Sequence, residues 1–334
     1  MSKLSKMLDQ SEFLLADGAT GTNLFDMGLT SGMAPEIWNF ELPENILALH
    51  GSFIDAGSDI LVTNSFGASS RRLHLHDLEK RVHEINARAA ELAMKAARGA
   101  GREILIAGSV GPTGDLFAPL GELTYEQAVE VFIEQIKGLK DGGADLAWIE
   151  TMSAPEEIDA AIEASLEVGL PYSVTVSFDT AGRSMMGLAP AGFANTMTEK
   201  SPSPLAIGSN CGVGASDLLF ALLELTDNAK AIPVIAKANA GIPQVSGDAV
   251  KYSGTPDLME EYARLAIDVG ARIIGGCCGN SPEHVARMRK ALDNHDRGKK
   301  PTRAELEEKL GPLVAPPSTK EATDGGRRRR RASR

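Results

Sequence analysis

Ala271-Arg272-Ile273-Ile274-Gly275-Gly276-Cys277-Cys278-Gly279-Asn280 is the stretch on which the fold assignment turns. Its first half is a short apolar run, which reads as a buried strand. Glycines follow, and then two adjacent thiols. Two neighbouring side chains serve one spot only where the backbone bends sharply, and Gly275, Gly276 and Gly279 permit that. A second stretch follows the same grammar. Leu205-Ala206-Ile207-Gly208 runs into Asn210-Cys211-Gly212, and the two stretches together hold all three cysteines of the chain. Both thiol sites therefore lie just past the C-terminal ends of strands. In a parallel α/β barrel that end is the rim on which active sites are built.

Outward from these stretches, strand and helix patterns alternate along the chain. Strand runs are expected at Phe13-Leu14-Leu15-Ala16, Asp59-Ile60-Leu61-Val62, Ile104-Leu105-Ile106-Ala107, Leu146-Ala147-Trp148-Ile149, Tyr172 to Phe178, Leu205 to Gly208, Pro233 to Ala238 and Ala271 to Ile274. Helical spacing is expected over Pro43 to Ala56, Leu78 to Ala97, Thr124 to Lys140 (with a Thr124–Gln127 capping box), from Pro155, around Phe193–Glu199, and over Asp217 to Leu225, Pro256 to Val269 and Pro282 to Leu292. Eight strand–helix units with apolar, non-alternating strands fit a (β/α)8 TIM barrel formed by a single domain. A doubly wound open sheet is the alternative, and the lack of a G-x-G-x-x-G after the first strand counts against it. The barrel is expected over residues 1–298. Residues 299–334 read as a Pro- and charge-rich tail, disordered and basic.

Apolar residues make up 43% of the 334-residue chain and charged residues 24%, as in a globular protein with a full core. No apolar run is long enough to span a membrane. The N-terminal residues lack a signal-peptide core, and three cysteines form no even disulfide framework, so a reducing, cytoplasmic location is expected. The net charge is −11. Residues 299–334 carry eleven basic and five acidic groups, a net of +6, which leaves −17 on the rest. An acidic globule argues against nucleic acid as a partner. The run Arg327–Arg331 reads as a solvated tail that could touch RNA, anionic lipid or the chain's own acidic surface.

Three thiolates suit Zn²⁺, and three protein ligands leave the open position of a catalytic site. None of the six histidines stands in ligand spacing with the cysteines, and His284 reads as a surface residue of the last helix. Inert buried thiols and a vicinal Cys277–Cys278 disulfide are the alternatives. Other strand ends carry Asp17-Gly18, Ser109-Val110-Gly111 and Glu150-Thr151. Two carboxylates and three thiolates at one mouth call for cations. A metal supplies one and a substrate ammonium another, while glycine-flanked backbone N–H groups suit a carboxylate. Together these describe an amino-acid pocket.

Asp17-Gly18-Ala19-Thr20-Gly21-Thr22, Glu150-Thr151, Asn210-Cys211-Gly212, Asn239-Ala240-Gly241-Ile242-Pro243 and Gly275-Gly276-Cys277-Cys278-Gly279 resemble the motifs of the homocysteine S-methyltransferase family. The resemblance covers about residues 14–290. It implies that Cys211, Cys277 and Cys278 bind zinc, that Asp17 and Glu150 hold the homocysteine amino group, and that backbone near Gly18 and Ser109 takes its carboxylate. It also implies methyl transfer to the homocysteine thiol to form methionine. Coordination that lowers a thiol pKa by about two units favours the thiolate by roughly 2.7 kcal/mol.

The expected donor is betaine, whose quaternary ammonium needs an aromatic cage. Trp38 and Phe66 are the candidates. The betaine enzymes have Phe-Tyr where this chain has Phe66-Gly67, and Ile37-Trp38-Asn39 looks closer to the S-methylmethionine type. Arg71-Arg72-Leu73-His74-Leu75-His76 and Ser177-Phe178-Asp179-Thr180 resemble bacterial betaine-type chains. S-methylmethionine or a methyl-corrinoid protein is the alternative donor, and a homo-oligomer is compatible with all of these. Outside this class stands a non-catalytic zinc or redox sensor that cycles Cys277–Cys278.

Overall fold

The structure, a computed structural model, describes residues 1–246 and 249–314, with the side chains of 243–246 and 249–251 left aside. The Arg327–Arg331 run lies outside the described residues. The strands are β1 (Leu14–Leu15), β2 (Ile60–Val62), β3 (Leu105–Val110), β4 (Leu146–Met152), β5 (Tyr172–Val176), β6 (Ile207–Cys211), β7 (Val234–Ala238), β8 (Pro243–Ser246), β9 (Ala249–Tyr252) and β10 (Ile273–Gly276). Eight are parallel and adjoin in the order β1-β10-β7-β6-β5-β4-β3-β2. A bridge between Ala16 and Ile60 joins the two ends of that order, so the sheet closes into the expected (β/α)8 barrel. β8 and β9 form an antiparallel hairpin inserted after β7.

The helices are α1 (Lys3–Gln10), α2 (Gly21–Asp26), α3 (Trp38–Glu41), α4 (Pro43–Asp55), α5 (Ser70–Leu73), α6 (Val82–Ala97), α7 (Tyr125–Asp141), α8 (Pro155–Val168), α9 (Pro190–Glu199), α10 (Ala215–Asn228), α11 (Pro256–Val269), α12 (Pro282–Asn294) and α13 (Arg303–Leu310). The Thr124–Gln127 capping box opens α7, and Pro155 is the first residue of α8, both as expected. The helix expected from Leu78 starts as an α-helix only at Val82, after a 3-10 turn at Glu79–Arg81. Among the described residues, no helix is long and apolar enough to cross a membrane.

The strands are buried on both faces because they pack against two different things. Leu14, Ala16, Ile60, Val62, Leu105, Ala107, Leu146, Trp148, Ile235 and Ile273 form one apolar cluster, the barrel interior. Their neighbours Leu15, Leu61, Ile106, Ala147, Ile149, Ala236 and Ile274 belong to a second cluster shared with the helices. The alternation follows the two-residue period of a strand. Leu4, Met7 and Leu8 of α1 join the interior cluster and stopper its N-terminal end. Each such buried side chain contributes about 1.5–3 kcal/mol.

α13 lies inside the segment that reads as tail. Thr302 and Glu305 form a capping box at its start, and Leu306 is fully buried. Lys300 Nζ donates to Leu223 O and pairs with Asp227 on α10, each at 2.7 Å. Ser216 Oγ donates to Gly311 O at 2.7 Å. Two leucines, the buried Leu306 and the partly buried Leu310, and a cap thus order a stretch whose composition is otherwise that of a solvated tail.

Candidate active site

Continuing inward-facing positions toward the C-terminal ends of the strands places polar residues directly above the apolar interior. Ser109 follows Leu105 and Ala107 on β3. Glu150 follows Leu146 and Trp148 on β4. Lys237 follows Ile235 on β7, and Cys277 follows Ile273 and Gly275 on β10. Asn210 on β6 stands opposite Lys237 in register. The mouth is therefore the next layer of the same barrel, built from polar groups.

Cys211, Cys277 and Cys278 are free thiols whose sulfur atoms all lie within 4.8 Å of one another. Two features of the backbone bring them together. Cys211 has φ of 64°, a left-handed conformation uncommon outside glycine. At Gly276 a Cβ would stand 2.4 Å from the Asn280 side chain, so only glycine lets the turn close before the thiols. Three sulfurs this close cannot all ionise without a cation. For Cys211, hydrogen bonding with Cys277 favours the thiolate, but Cys278 and burial outweigh it and push the thiol up to about 12. Cys278 is likewise pushed up to about 12: hydrogen bonding with Cys211 opposes the shift, while Cys277 and burial drive it. Asn239 is in hydrogen-bonding reach of Cys211, and its buried Oδ1 has no hydrogen-bond partner among the described residues. Three soft donors, one unpartnered oxygen and a half-buried setting fit Zn²⁺.

Asn210 ties this cluster to the carboxylates. Its Oδ1 accepts from the Thr151 backbone N–H at 2.8 Å and the Thr175 hydroxyl at 2.7 Å. Its Nδ2 donates to Thr151 Oγ1 at 2.7 Å and reaches Glu150 Oε2 at 3.4 Å and Cys277 Sγ at 3.8 Å. Glu150 Oε1 accepts from Ser109 Oγ at 2.5 Å. Burial raises the Glu150 carboxyl above its ordinary range, against the opposing pull of Lys237 and Ser109. Asp17 lies deeper, at 1% exposed. Its Oδ2 accepts the Val62 N–H at 2.7 Å, and its Oδ1 accepts from Lys237 Nζ at 2.9 Å.

The structure brings the three cysteines, Asn210, Glu150, Ser109, Lys237 and Asp17 to one mouth. Gly18 is packed under Asn280 O and the Phe53 ring, where a Cβ would collide at 2.5 Å and 2.8 Å. The Ser109 N–H is already bonded to Thr63 Oγ1 at 2.9 Å. Phe66 is 36% exposed and lies against Gly111, where a Cβ would stand 2.6 Å from its ring. Trp38 is 4% exposed and belongs to the main apolar cluster, away from open solvent. The absence of a side chain at Gly67 has a local cause: a Cβ there would lie 2.9 Å from Glu36 Oε1, which accepts the Gly67 N–H at 2.6 Å. His284, expected on the surface, is half-buried. Its Nδ1 accepts from the Ser281 N–H, and its Nε2 donates to Gly254 O at 3.1 Å.

Sequence reasoning missed Tyr252 and Lys237. Tyr252 ends the hairpin and stands within hydrogen-bonding reach of Cys278. It fits because Gly279 has no side chain, since a Cβ there would meet Tyr252 Cγ at 2.3 Å. No sequence signal marks that approach. Lys237 had one, a charged residue inside an otherwise apolar strand.

Comparison with known proteins agrees with this geometry. The family model described as Homocysteine S-methyltransferase matches residues 14–292. Methionine synthases of Mycobacterium leprae (strain TN) and Mycobacterium tuberculosis (strain ATCC 25618 / H37Rv) are each 30% identical, over 86% and 85% of this chain. The chain spans only 25% of the length of either. The metallated form of the homocysteine methyltransferase MmuM from Escherichia coli superposes with a TM-score of 0.74 at 25% identity, covering 86% of this chain and 99% of that one. With a family model matched over most of its length and the cysteine triad at the mouth of its barrel, the chain belongs to the homocysteine S-methyltransferase family.

Proposed function

We propose that this chain transfers a methyl group to the thiol of L-homocysteine, forming methionine, with Zn²⁺ held by Cys211, Cys277 and Cys278. The observation that carries the reading is the convergence of two adjacent sulfurs with a third from 66 residues earlier in the chain, beside a buried carboxylate. Bound there, zinc would keep the acceptor sulfur as a thiolate at neutral pH. The chain's own residues do the rest. Glu150, fixed by Ser109 and Asn210, offers a carboxylate oxygen to an α-ammonium on the sulfur side of the pocket. The turn from Gly18 into α2 supplies backbone for the α-carboxylate. Asn210 spans from Glu150 to Cys277, so one side chain sets the separation between the ammonium and sulfur positions.

Betaine is the proposed donor, with S-methylmethionine as the second reading. Both carry a positively charged methylated centre, and the exposed ring of Phe66 suits such a cation. Transfer in line from a positively charged donor to a thiolate cancels charge, and a half-buried mouth favours charge cancellation over charge separation. A cytoplasmic location is part of the same proposal, because the thiols must stay reduced to hold metal. Purified zinc-loaded protein should form methionine from homocysteine with one member of a donor panel comprising betaine, S-methylmethionine and a methyl-corrinoid protein. Phe66→Ala should raise the KM for the onium donor more than that for homocysteine. A protein that takes up no zinc and forms a reversible Cys277–Cys278 disulfide would instead be the redox sensor.

A further inference from the structure

Two arginines stand side by side on the loop after β2, and they differ in company. Arg71 Nε lies 3.6 Å from Asp115 Oδ2. The half-buried Arg72 guanidinium makes no hydrogen bond or ion pair among the described residues. Its backbone is nevertheless fixed. The Ser69 hydroxyl caps α5 and accepts the Arg72 N–H at 3.4 Å, and the next residue, Leu73, is fully buried. Glu36 attracts Arg72 through space but forms no ion pair with it, and its Oε1 is committed to the Gly67 N–H at 2.6 Å. A guanidinium presents five donors in a rigid fork that matches a carboxylate. Here that fork is held in place and left open.

Arg72 shares a turn with Phe66. A Cβ on Gly111 would stand 2.6 Å from the Phe66 ring, and one on Gly114 would stand 3.4 Å from Arg72 Nη1. The two glycines are three residues apart, so their Cα atoms are separated by at most about 11 Å. The turn between them is pinned, because the Thr113 N–H and hydroxyl both donate to buried Glu157 Oε1, at 2.8 Å and 2.7 Å. Gly111 comes two residues after Ser109, whose hydroxyl bonds Glu150, and Gly114 lies further along the loop. Phe66 is thus the inner contact of the turn and Arg72 the outer one. Electrostatics gives this order a meaning. A mouth lined by carboxylates and thiols draws the cationic end of a zwitterion inward and repels its carboxylate. An aromatic ring inside and a guanidinium outside receive such a molecule in that one orientation.

We propose that Arg72 is a specificity-determining residue that pairs with the carboxylate of a zwitterionic methyl donor whose onium centre lies against Phe66. This rests on the onium-donor reading above and adds to it the demand that the donor carry its own carboxylate. Full-length zinc-loaded protein is assayed with each onium donor and with the carboxamide of that donor, which keeps the onium centre and loses the negative charge. Wild type should prefer the carboxylate by about 10- to 100-fold in kcat/KM, the range of one charge-assisted interaction, with the difference mainly in KM. Arg72→Gln should reduce the preference to about 3-fold or less, raising the KM of the carboxylate donor while kcat, the KM of homocysteine and zinc content stay within about 2-fold of wild type. Arg72→Lys, which keeps the charge without the fork, should fall between the two. Arg71→Gln removes the neighbouring charge and should leave the preference within about 2-fold of wild type.

A preference retained in Arg72→Gln would overturn the proposal. Equal losses in Arg71→Gln and Arg72→Gln would also overturn it, because the general positive charge of the loop would then account for the effect. A wild type that uses an onium donor and its carboxamide equally well would remove the role of Arg72 and leave methyl transfer from an onium donor intact. Turnover confined to the methyl-corrinoid protein would refute the onium-donor reading itself, and the proposal with it.

Discussion

His50 carries a pH dependence that can be worked out in advance. It sits on α4 at 2% exposed, and neither ring nitrogen has a hydrogen-bond partner among the described residues. Burial lowers its pKa from 6.5 to about 4, with Asp17 opposing the shift. A base whose folded pKa is depressed contributes stability above its unfolded pKa and loses it as pH falls toward the folded value. The window is therefore pH 6.5 to 4. At pH 5 the unfolded imidazole is almost wholly charged while the folded one is almost wholly neutral, and linkage gives a loss of about 2 kcal/mol relative to pH 7. His50→Leu removes both the titration and the two unpartnered nitrogens. Urea unfolding of wild type and His50→Leu at pH 7, 6 and 5, both in chelator so that protons do not compete with metal at the thiols, isolates the effect. The buried carboxyls Glu36, Glu150 and Glu157 titrate in the opposite sense but are common to both proteins and cancel. Wild type should lose about 2 kcal/mol more than the variant between pH 7 and pH 5. Parallel stability curves would refute the account, and would mean that the imidazole is solvated or paired in the folded protein.

Cys278→Ala, by removing one of three ligands, should abolish stoichiometric zinc binding by elemental analysis while leaving the circular dichroism spectrum unchanged. Full zinc occupancy in that variant would dissolve the proposed ligand set. Burial raises the Glu36 carboxyl, so its contribution to stability is complete below about 4.5 and declines as pH rises through the elevated value. Glu36→Gln keeps an acceptor for the Gly67 N–H and should be more stable than wild type at pH 8, with the gain vanishing at pH 4; denaturant midpoints at the two pH values decide it. Leu306→Ala should cost about 2–5 kcal/mol if α13 is part of the folded unit, and a cost below about 1 kcal/mol in chemical unfolding would mean that α13 does not dock.

The barrel was legible because its strands are continuous apolar runs bounded by turn residues, and because eight of them alternate with helical spacing. The thiol cluster was legible for a different reason. Cysteine is rare here, and all three copies fall at the ends of such runs. What stayed hidden depended on contacts remote in the chain. The approach of Tyr252 to Cys278 requires the β8–β9 hairpin to fold back over Gly279, and neither end of that contact shows a local signal. The docking of α13 rests on Leu306 and the partly buried Leu310, two leucines set among charges in the segment Arg303–Leu310. Trp38 shows the converse: it stands on a rim loop by sequence, yet it is buried within the main apolar cluster.

Lys237 lay between these cases. Val234-Ile235-Ala236-Lys237-Ala238 reads as an apolar strand buried on both faces, so a lysine within it has no water to reach. Two-residue alternation turns it to the same side as Ile235, and the same count turns Glu150 to the side of Trp148 and Ser109 to the side of Ala107. A cation and a carboxylate directed into one barrel, one layer above an apolar plug, must meet each other or a ligand. The register between Asn210 and Lys237, and between Gly275 and Lys237, puts that meeting just beneath the thiols. Charge placed inside a barrel is therefore the part of the site that strand periodicity can locate, whereas the metal ligands are found by residue type. The two routes arrive at adjoining levels of one mouth, with the Asp17–Lys237 pair just beneath the thiols.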